Sequence, residues 1–178
     1  MKIVGKVGLK ILEAAIEGLV KGVLNLMGPE KLNMFIENDW NILESIFYGL
    51  CRSPSEVYKN MSPEEVSKTE RIRHNLARTV LPIIGMAQKV ARSFPPEAVE
   101  SKVTAEWLMR RGREKFPELI AIVESHGDRG RAWLDRQAKQ ICDYLTGKIV
   151  YHPVKLKFVS REEMIIEIQR IKKHGSPS

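Results

Sequence analysis

Apolar residues recur every three or four positions along almost the whole chain, a spacing that predicts helices. Leu9, Leu12, Ile16, Leu19, Val23 and Met27 mark one face of a helix over 3–27, and Lys6, Lys10, Glu13, Glu17 and Lys21 form a narrow polar stripe opposite. Ala14, Gly18 and Gly22 follow one another at i+4. Glycine inside a helix costs roughly 1 kcal/mol against alanine, so this run predicts a closely packed partner backbone. A central core helix is the first expectation; a homodimer seam and an interfacial membrane helix are the sharper alternatives. Gly28-Pro29 ends this helix and opens a second, with a stripe of Leu32, Phe35, Ile36, Trp40, Leu43, Ile46, Phe47 and Leu50.

A Ser- and Pro-bearing loop over 52–61 follows. Ser62-Pro63-Glu64-Glu65 is a helix start with a capping box, and that helix runs through Ile72, Leu76, Val80, Ile83, Ala87 and Val90. Pro82 should kink or split it, because proline removes a backbone donor and crowds the preceding turn. Ser93-Phe94-Pro95-Pro96 divides an N-terminal helical lobe, 1–93, from a basic lobe, 94–174, within one compact domain overall. Helices are expected over 97–111, 117–126 and 128–146, with Gly112 breaking the first of them. Lys148–Tyr151 and Val154–Val159 read as strands; in the second, Val154, Leu156 and Phe158 alternate with Lys155 and Lys157. Ser160-Arg161-Glu162-Glu163 caps a last helix carrying Ile165, Ile168 and Ile171, and 175–178 is expected to be a disordered tail. The fold class is therefore mainly α: a multi-helix bundle with a small C-terminal β-hairpin and a final helix.

Composition removes several other classes. The 178 residues are 43% hydrophobic and 29% charged, with 12 Gly, 9 Pro and 2 Cys, which excludes collagen-like, mucin-like and disulfide-framework chains. The formal net charge of +7 is unevenly placed. Residues 1–60 hold seven basic and seven acidic groups, whereas 148–178 hold seven basic and three acidic. A basic C-terminal portion attracts polyanions such as nucleic acid. Cys51 and Cys142 stand far apart with no metal-ligand spacing, so they read as small buried hydrophobes in a reducing compartment. Charges interrupt the first helix at every turn, leaving no apolar run of the ~20 residues that a membrane span needs. The expected location is cytoplasmic.

Motifs for chemistry are missing. The sequence has no P-loop, no GxGxxG, no HExxH and no ExxH pair of the di-iron kind, so no catalytic residue, metal or cofactor is assigned. His74-Asn75-Leu76-Ala77-Arg78-Thr79 is similar to the acceptor-histidine helix of sensor kinases, but only with Ala77 as an insertion that rotates the helix faces. His74 is read instead as a surface partner of Glu70, four residues earlier. Residues 116–159 run helix, short Gly-x-x-Gly connector, helix and two strands, which is the order of a winged helix–turn–helix module. The second helix of such a module would offer Arg129, Arg131, Arg136 and Lys139 to DNA. Gly127-Asp128-Arg129-Gly130 with Gly147-Lys148-Ile149-Val150 also resembles the loop-bearing half of KH domains, in which that loop clamps a nucleic-acid backbone. It departs from that family at Ser125-His126 and Asp128. The plain alternative is an αα-hairpin whose Leu134, Ala138, Ile141 and Leu145 face the core.

Arg110, Arg111, Arg113 and Lys115 form a second basic cluster between Trp107 and Phe116, and Lys155 and Lys157 extend it on the outer strand face. The functional expectation is a non-enzymatic nucleic-acid-binding accessory protein, with DNA favoured over RNA. Its candidate contacts are Arg110, Arg111, Arg113, Lys115, Arg129, Arg131, Arg136, Lys139, Lys155 and Lys157. The alternative is a helical scaffold or assembly protein that oligomerises through 3–27 and has no nucleic-acid role.

Overall fold

The long first helix, α1 (Lys2–Glu37), is two segments joined at Gly28, whose φ of 78° no ordinary side chain favours. Pro29 restarts it in a position where its missing N–H costs nothing. This is a computed structural model, and it describes residues 2–174; the tail expected over 175–178 lies outside the described residues. Leu12, Ala15, Ile16, Leu19 and Val23 of α1 are buried. Gly18 and Gly22 face the side chains of Ile83 and Val80, so the glycine face is filled by this chain's own later helix. The first helix is the central core helix that the pattern favours.

The second helix does not run through to Leu50 as expected. It stops at Glu37, and α2 (Ile42–Cys51) starts afresh. Asp39 takes a positive φ of 55°, the Asp39 N–H donates to the Ile36 carbonyl, and the Trp40 N–H donates to the Phe35 carbonyl. That bond pattern is a Schellman stop, and it carries the usual apolar contact across the stop: Trp40 meets Phe35 edge-on at 5.4 Å. Asp is one of the few residues besides glycine that tolerates this backbone, which is why an apolar stripe alone did not reveal the break.

After a four-residue turn of helix, α3 (Pro54–Val57), α4 (Pro63–Asn75) begins at the Ser62 cap, whose hydroxyl accepts the Glu65 N–H at 3.3 Å. Pro82 neither stops nor splits the path. A π turn over Leu76–Val80 widens the helix, and the Leu81 N–H donates to the Leu76 carbonyl before α5 (Leu81–Ala91) continues. The expected 97–111 helix is two: α6 (Pro96–Lys102) and α7 (Ala105–Lys115), separated by Thr104, whose hydroxyl caps α7 by accepting the Trp107 N–H at 3.1 Å. Gly112 does not break α7. It is buried inside the helix where a side chain would collide with Ile120, and the helix ends instead before Pro117.

Helices α8 (Pro117–Ser125) and α9 (Gly127–Leu145) follow, joined through His126. Gly130 sits against the Val123 carbonyl, with no room for a Cβ. One buried cluster joins α1, α2 and α5 to Val99, Val103, Trp107, Ile141, Cys142 and Leu145. The other joins Leu32 and Ile36 to Ala105, Met109, Ile120, Val123, Trp133 and Leu134. Both cores cross the Ser93–Pro96 boundary, so the two halves share their interior.

The hairpin pairs β1 (Ile149–His152) with β2 (Lys157–Ser160) antiparallel, Ile149 opposite Ser160 and His152 opposite Lys157. The second strand therefore starts three residues later than expected. Pro153–Leu156 form the turn, Leu156 has a φ of 56°, and Val154 is 82% exposed rather than inward-facing. Phe47 of α2 packs with Tyr144, Tyr151 and Phe158 at ring separations of 5.2–5.9 Å, which fastens the hairpin to α2 and α9. Ser160 caps α10 (Arg161–His174) through the Glu163 N–H at 3.1 Å. The architecture is a mainly α bundle with a C-terminal hairpin and a final helix.

Glycine substitutions separate the two uses of this residue. Gly130→Ala should cost at least about 2 kcal/mol, because a backbone carbonyl cannot step aside. Gly85→Ala, at an exposed helical position with open space around it, should gain about 0.5–1 kcal/mol. Urea midpoints of the two variants against the parent protein check both signs.

Candidate functional site

The α7 basic cluster fills the C-terminal part of the helix, with Arg113 and Lys115 in its last turn, because α7 continues through Gly112 and ends at Lys115. Its members diverge in role. Arg111 is half-buried, and its guanidinium reaches Glu13 at 3.0 Å, Glu17 at 3.4 Å and Glu114 at 3.5 Å. Lys102 closes the same network on Glu13 at 2.5 Å. Glu13 and Glu17 are thus not a solvated stripe of α1; they tie α1 to α6 and α7. Partial burial pushes the Glu13 carboxyl up, but hydrogen bonds from Lys102 and Arg111 outweigh it and hold the group below the ordinary carboxylate value. Arg113 pairs with Glu124 of α8 at 3.3 Å. Arg110 and Lys115 are exposed and have no ionic partner among the described residues.

The cations of α9 are mostly engaged as well. Arg131 meets Glu106 at 3.1 Å and Asp135 at 3.7 Å. The Arg136 Nε donates to Asp39 at 2.7 Å, and Lys139 meets Asp143 at 2.9 Å. Arg129 is exposed and without an ionic partner among the described residues. The opposite face of α9, from Gly130 and Trp133 through Gln137 and Ile141 to Leu145, is buried in the bundle. That buried face packs against α1, α2, α5, α7 and α8, and the cations stand on the outer one. The Gly-x-x-Gly stretch forms the first turn of α9, where Gly127 supplies a φ of 59° and Gly130 permits close contact with α8.

At the hairpin, Lys155 lies in the turn, 3.8 Å from both Glu163 and Glu167, while Lys157 is on β2, exposed and without an ionic partner among the described residues. The two lysines do not alternate on one strand face. His152 is buried beneath them. The N–H groups of Val154 and Lys155 donate to its Nδ1 at 3.2 and 3.0 Å, so its Nε2 carries the proton and donates to Glu167 at 2.8 Å. That hydrogen bond holds the Glu167 carboxyl below its ordinary value. The pair looks like an acid–base dyad, but the one lone pair of the ring is already taken by the turn, which leaves no base to offer a substrate. His74 also has a different partner from the one expected: its Nε2 lies 3.4 Å from Arg78, and Glu70 bonds the Tyr58 hydroxyl.

Other sources of chemistry are sparse. Burial pushes the Cys142 thiol up, the opposite of what an activated nucleophile requires. Among the described residues no group of three His, Cys, Asp or Glu could hold a metal ion, and no helix is long and apolar enough to cross a membrane. A cavity of about 60 Å³ between α1, α7, α8 and α9 is lined by groups such as Ile16, Trp107, Ile120 and Trp133. It is far below the roughly 300 Å³ at which small-molecule pockets begin, whereas two open surface clefts of about 370 Å³, one beside Pro29, Leu32 and Pro117 and one beside Trp40, Glu44 and Tyr48, reach that size.

The surface that stands out lies on the last helix, whose isoleucines the sequence left without a role. On α10, Ile165, Ile166, Ile168 and Ile171 are 43%, 58%, 46% and 42% exposed, and no residue of the helix is buried. The i, i+3 spacing was visible in the sequence; that nothing in the bundle covers it was not. In comparisons with known proteins, no family model matches the chain, and neither a curated protein nor a solved structure matches it.

Acid titration tests the Glu13 network. A carboxyl held low in the folded protein contributes stability above its unfolded value, near 4.5, and loses it as pH falls through the lower folded value. Between pH 6 and pH 3 the urea midpoint of the parent protein should therefore fall more steeply than that of Glu13→Gln, and the two should converge at the acid end. Parallel curves would remove the network from the stability account.

Proposed function

We propose that this chain is a non-enzymatic helical assembly protein that works by docking another helix on α10. The observation that carries this reading is the run of half-exposed isoleucines on a helix whose hairpin-facing carboxylates are already paired. Contiguous apolar surface of this kind marks interaction sites in folded proteins. The expected route through 3–27 is less favoured, since Gly18 and Gly22 of that helix already face α5 and the π turn.

A second reading, nucleic-acid binding, draws support from Arg110, Lys115, Arg129 and Lys157, four exposed cations without ionic partners among the described residues. Arg111, Arg113, Arg131, Arg136, Lys139 and Lys155 are each bound to carboxylates of this chain. They would have to abandon those partners to reach phosphates, which weakens the nucleic-acid reading.

Salt-dependent gel mobility decides between the two. The assembly reading expects no retarded complex with duplex DNA at low ionic strength. Engagement of the four unpaired cations would instead give a complex whose log affinity falls with log salt at a slope of about −3.6, and engagement of all ten candidates about −9. Either slope would overturn the assembly reading in favour of nucleic-acid binding.

A further inference from the structure

We infer that the open cleft where the α1–α2 connection, α2 and the hairpin turn meet binds a primary alkylammonium group, a protonated amine on an aliphatic stem. This site is separate from α10 and does not rest on the assembly reading. The cleft, of about 370 Å³, is lined by one face of α2, where Asn41, Glu44, Ser45 and Tyr48 recur at helical spacing, by Trp40 before it and by Leu156 of the turn. Trp40 and Tyr48 are 44% and 41% exposed, large aromatic groups that the bundle leaves open. Among the described residues no lysine or arginine lines the cleft. Its polar groups are held in one orientation. The Ile42 N–H donates to the Gln137 Oε1 at 2.8 Å, so the Gln137 Nε2 is left to donate to the Asn41 Oδ1 at 3.2 Å. The Asn41 Nδ2 in turn donates to the Glu44 Oε2 at 3.3 Å. A backbone N–H thus sets the direction of both amides, and the Glu44 carboxylate is positioned before any ligand arrives.

The chemistry of the lining selects the ligand. Glu44 has a hydrogen bond but no ionic partner among the described residues. Asp39, the other carboxylate of the cleft, already gives its Oδ1 to Arg136. Arg52 stacks on Tyr48, 4.9 Å from the ring centre, but does not line the cleft. Charge complementarity therefore calls for a cation beside Glu44. A hard metal ion takes about six to eight oxygen ligands, and among the described residues no group of three acidic, His or Cys side chains could hold one. Aromatic faces favour an organic cation instead. A guanidinium pairs best with both oxygens of a carboxylate in one plane, and one oxygen of Glu44 is taken by Asn41. An ammonium is a compact charge with rotatable donors. It can meet the free Glu44 Oε1 and the Ser45 hydroxyl together, while Trp40, Tyr48 and Leu156 cover its methylene stem. The same two carboxylates repel phosphate, so this cleft serves no nucleic-acid contact.

The test uses the full chain. Amide and indole NMR spectra are followed while n-butylammonium chloride is added to about 100 mM, a range suited to so small a ligand, with sodium chloride at equal ionic strength as the reference. The Trp40 indole and the Glu44, Ser45 and Tyr48 amides should shift saturably, and the buried Trp107 indole should not move. Glu44→Gln keeps the shape of the side chain and should weaken binding at least about tenfold. Tyr48→Leu should weaken it about threefold. Urea midpoints that stay with the parent's separate lost binding from lost folding, and if one variant fails to fold the other decides. Nα-acetyl-lysine methylamide should bind at least about fivefold more tightly than the arginine derivative. Tighter binding of the lysine derivative than of n-butylammonium supports a lysine side chain of a partner as the natural source, and the reverse order supports a free aliphatic amine. Shifts no larger than those with sodium chloride, or binding unchanged in both Glu44→Gln and Tyr48→Leu, would overturn the site. An arginine derivative that binds as tightly as the lysine one would overturn the ammonium assignment.

Discussion

Gln137 and His152 are the buried polar side chains among the described residues, and each ties one chain reversal to a helix. The Ile42 N–H donates to the Gln137 Oε1 at 2.8 Å, and the Gln137 amide donates to Asn41 at 3.2 Å. One turn earlier on α9, the Trp133 indole N–H donates to the Trp40 carbonyl at 2.8 Å. The connection between α1 and α2 has no regular structure of its own, so its backbone groups need partners when the bundle closes over them. These two α9 side chains provide them. Without that clamp, α2 would lose its placement beside α9, and with it the Phe47 ring against which the hairpin packs. His152 repeats the device at the other end of the chain, satisfying two N–H groups of its turn and orienting α10 through Glu167.

The same economy governs the charges. A formal excess of +7 suggests a surface open to polyanions, but six of the ten candidate cations are engaged with carboxylates from other helices or from their own. Exposed pairs of this kind contribute little stability one by one. Their effect here is on the surface field: paired guanidinium groups present neighbouring charges of both signs. The Glu13 network differs in being half-buried and shared by three helices, which makes it a structural joint between α1, α6 and α7.

Local signals were readable in the sequence, and non-local ones were not. Ser62 and Ser160 announced their helices because capping involves residues only three apart. Pro82 announced irregularity, although only the coordinates show it absorbed as a π turn. Asp39 hid a helix stop because its positive φ is set by the fit of Trp40 on Phe35 and by α9, 97 residues away at Arg136. Gly112 looked like a breaker because the approach of Ile120 is a tertiary fact. The hairpin register slipped for a similar reason: His152 takes the N–H groups of Val154 and Lys155 for its own ring, which converts the expected strand start into a turn. The α10 isoleucines carried no assignment in the sequence, because periodicity places them on a helix but cannot say whether anything covers them.

An open α10 beside a surface of paired cations is the centre of the account, and hydrogen–deuterium exchange read peptide by peptide on the intact protein addresses it most directly. An added short DNA duplex should leave exchange in α7, α9 and 161–174 unchanged. Slowed exchange over α7 and α9 on addition of DNA would contradict it.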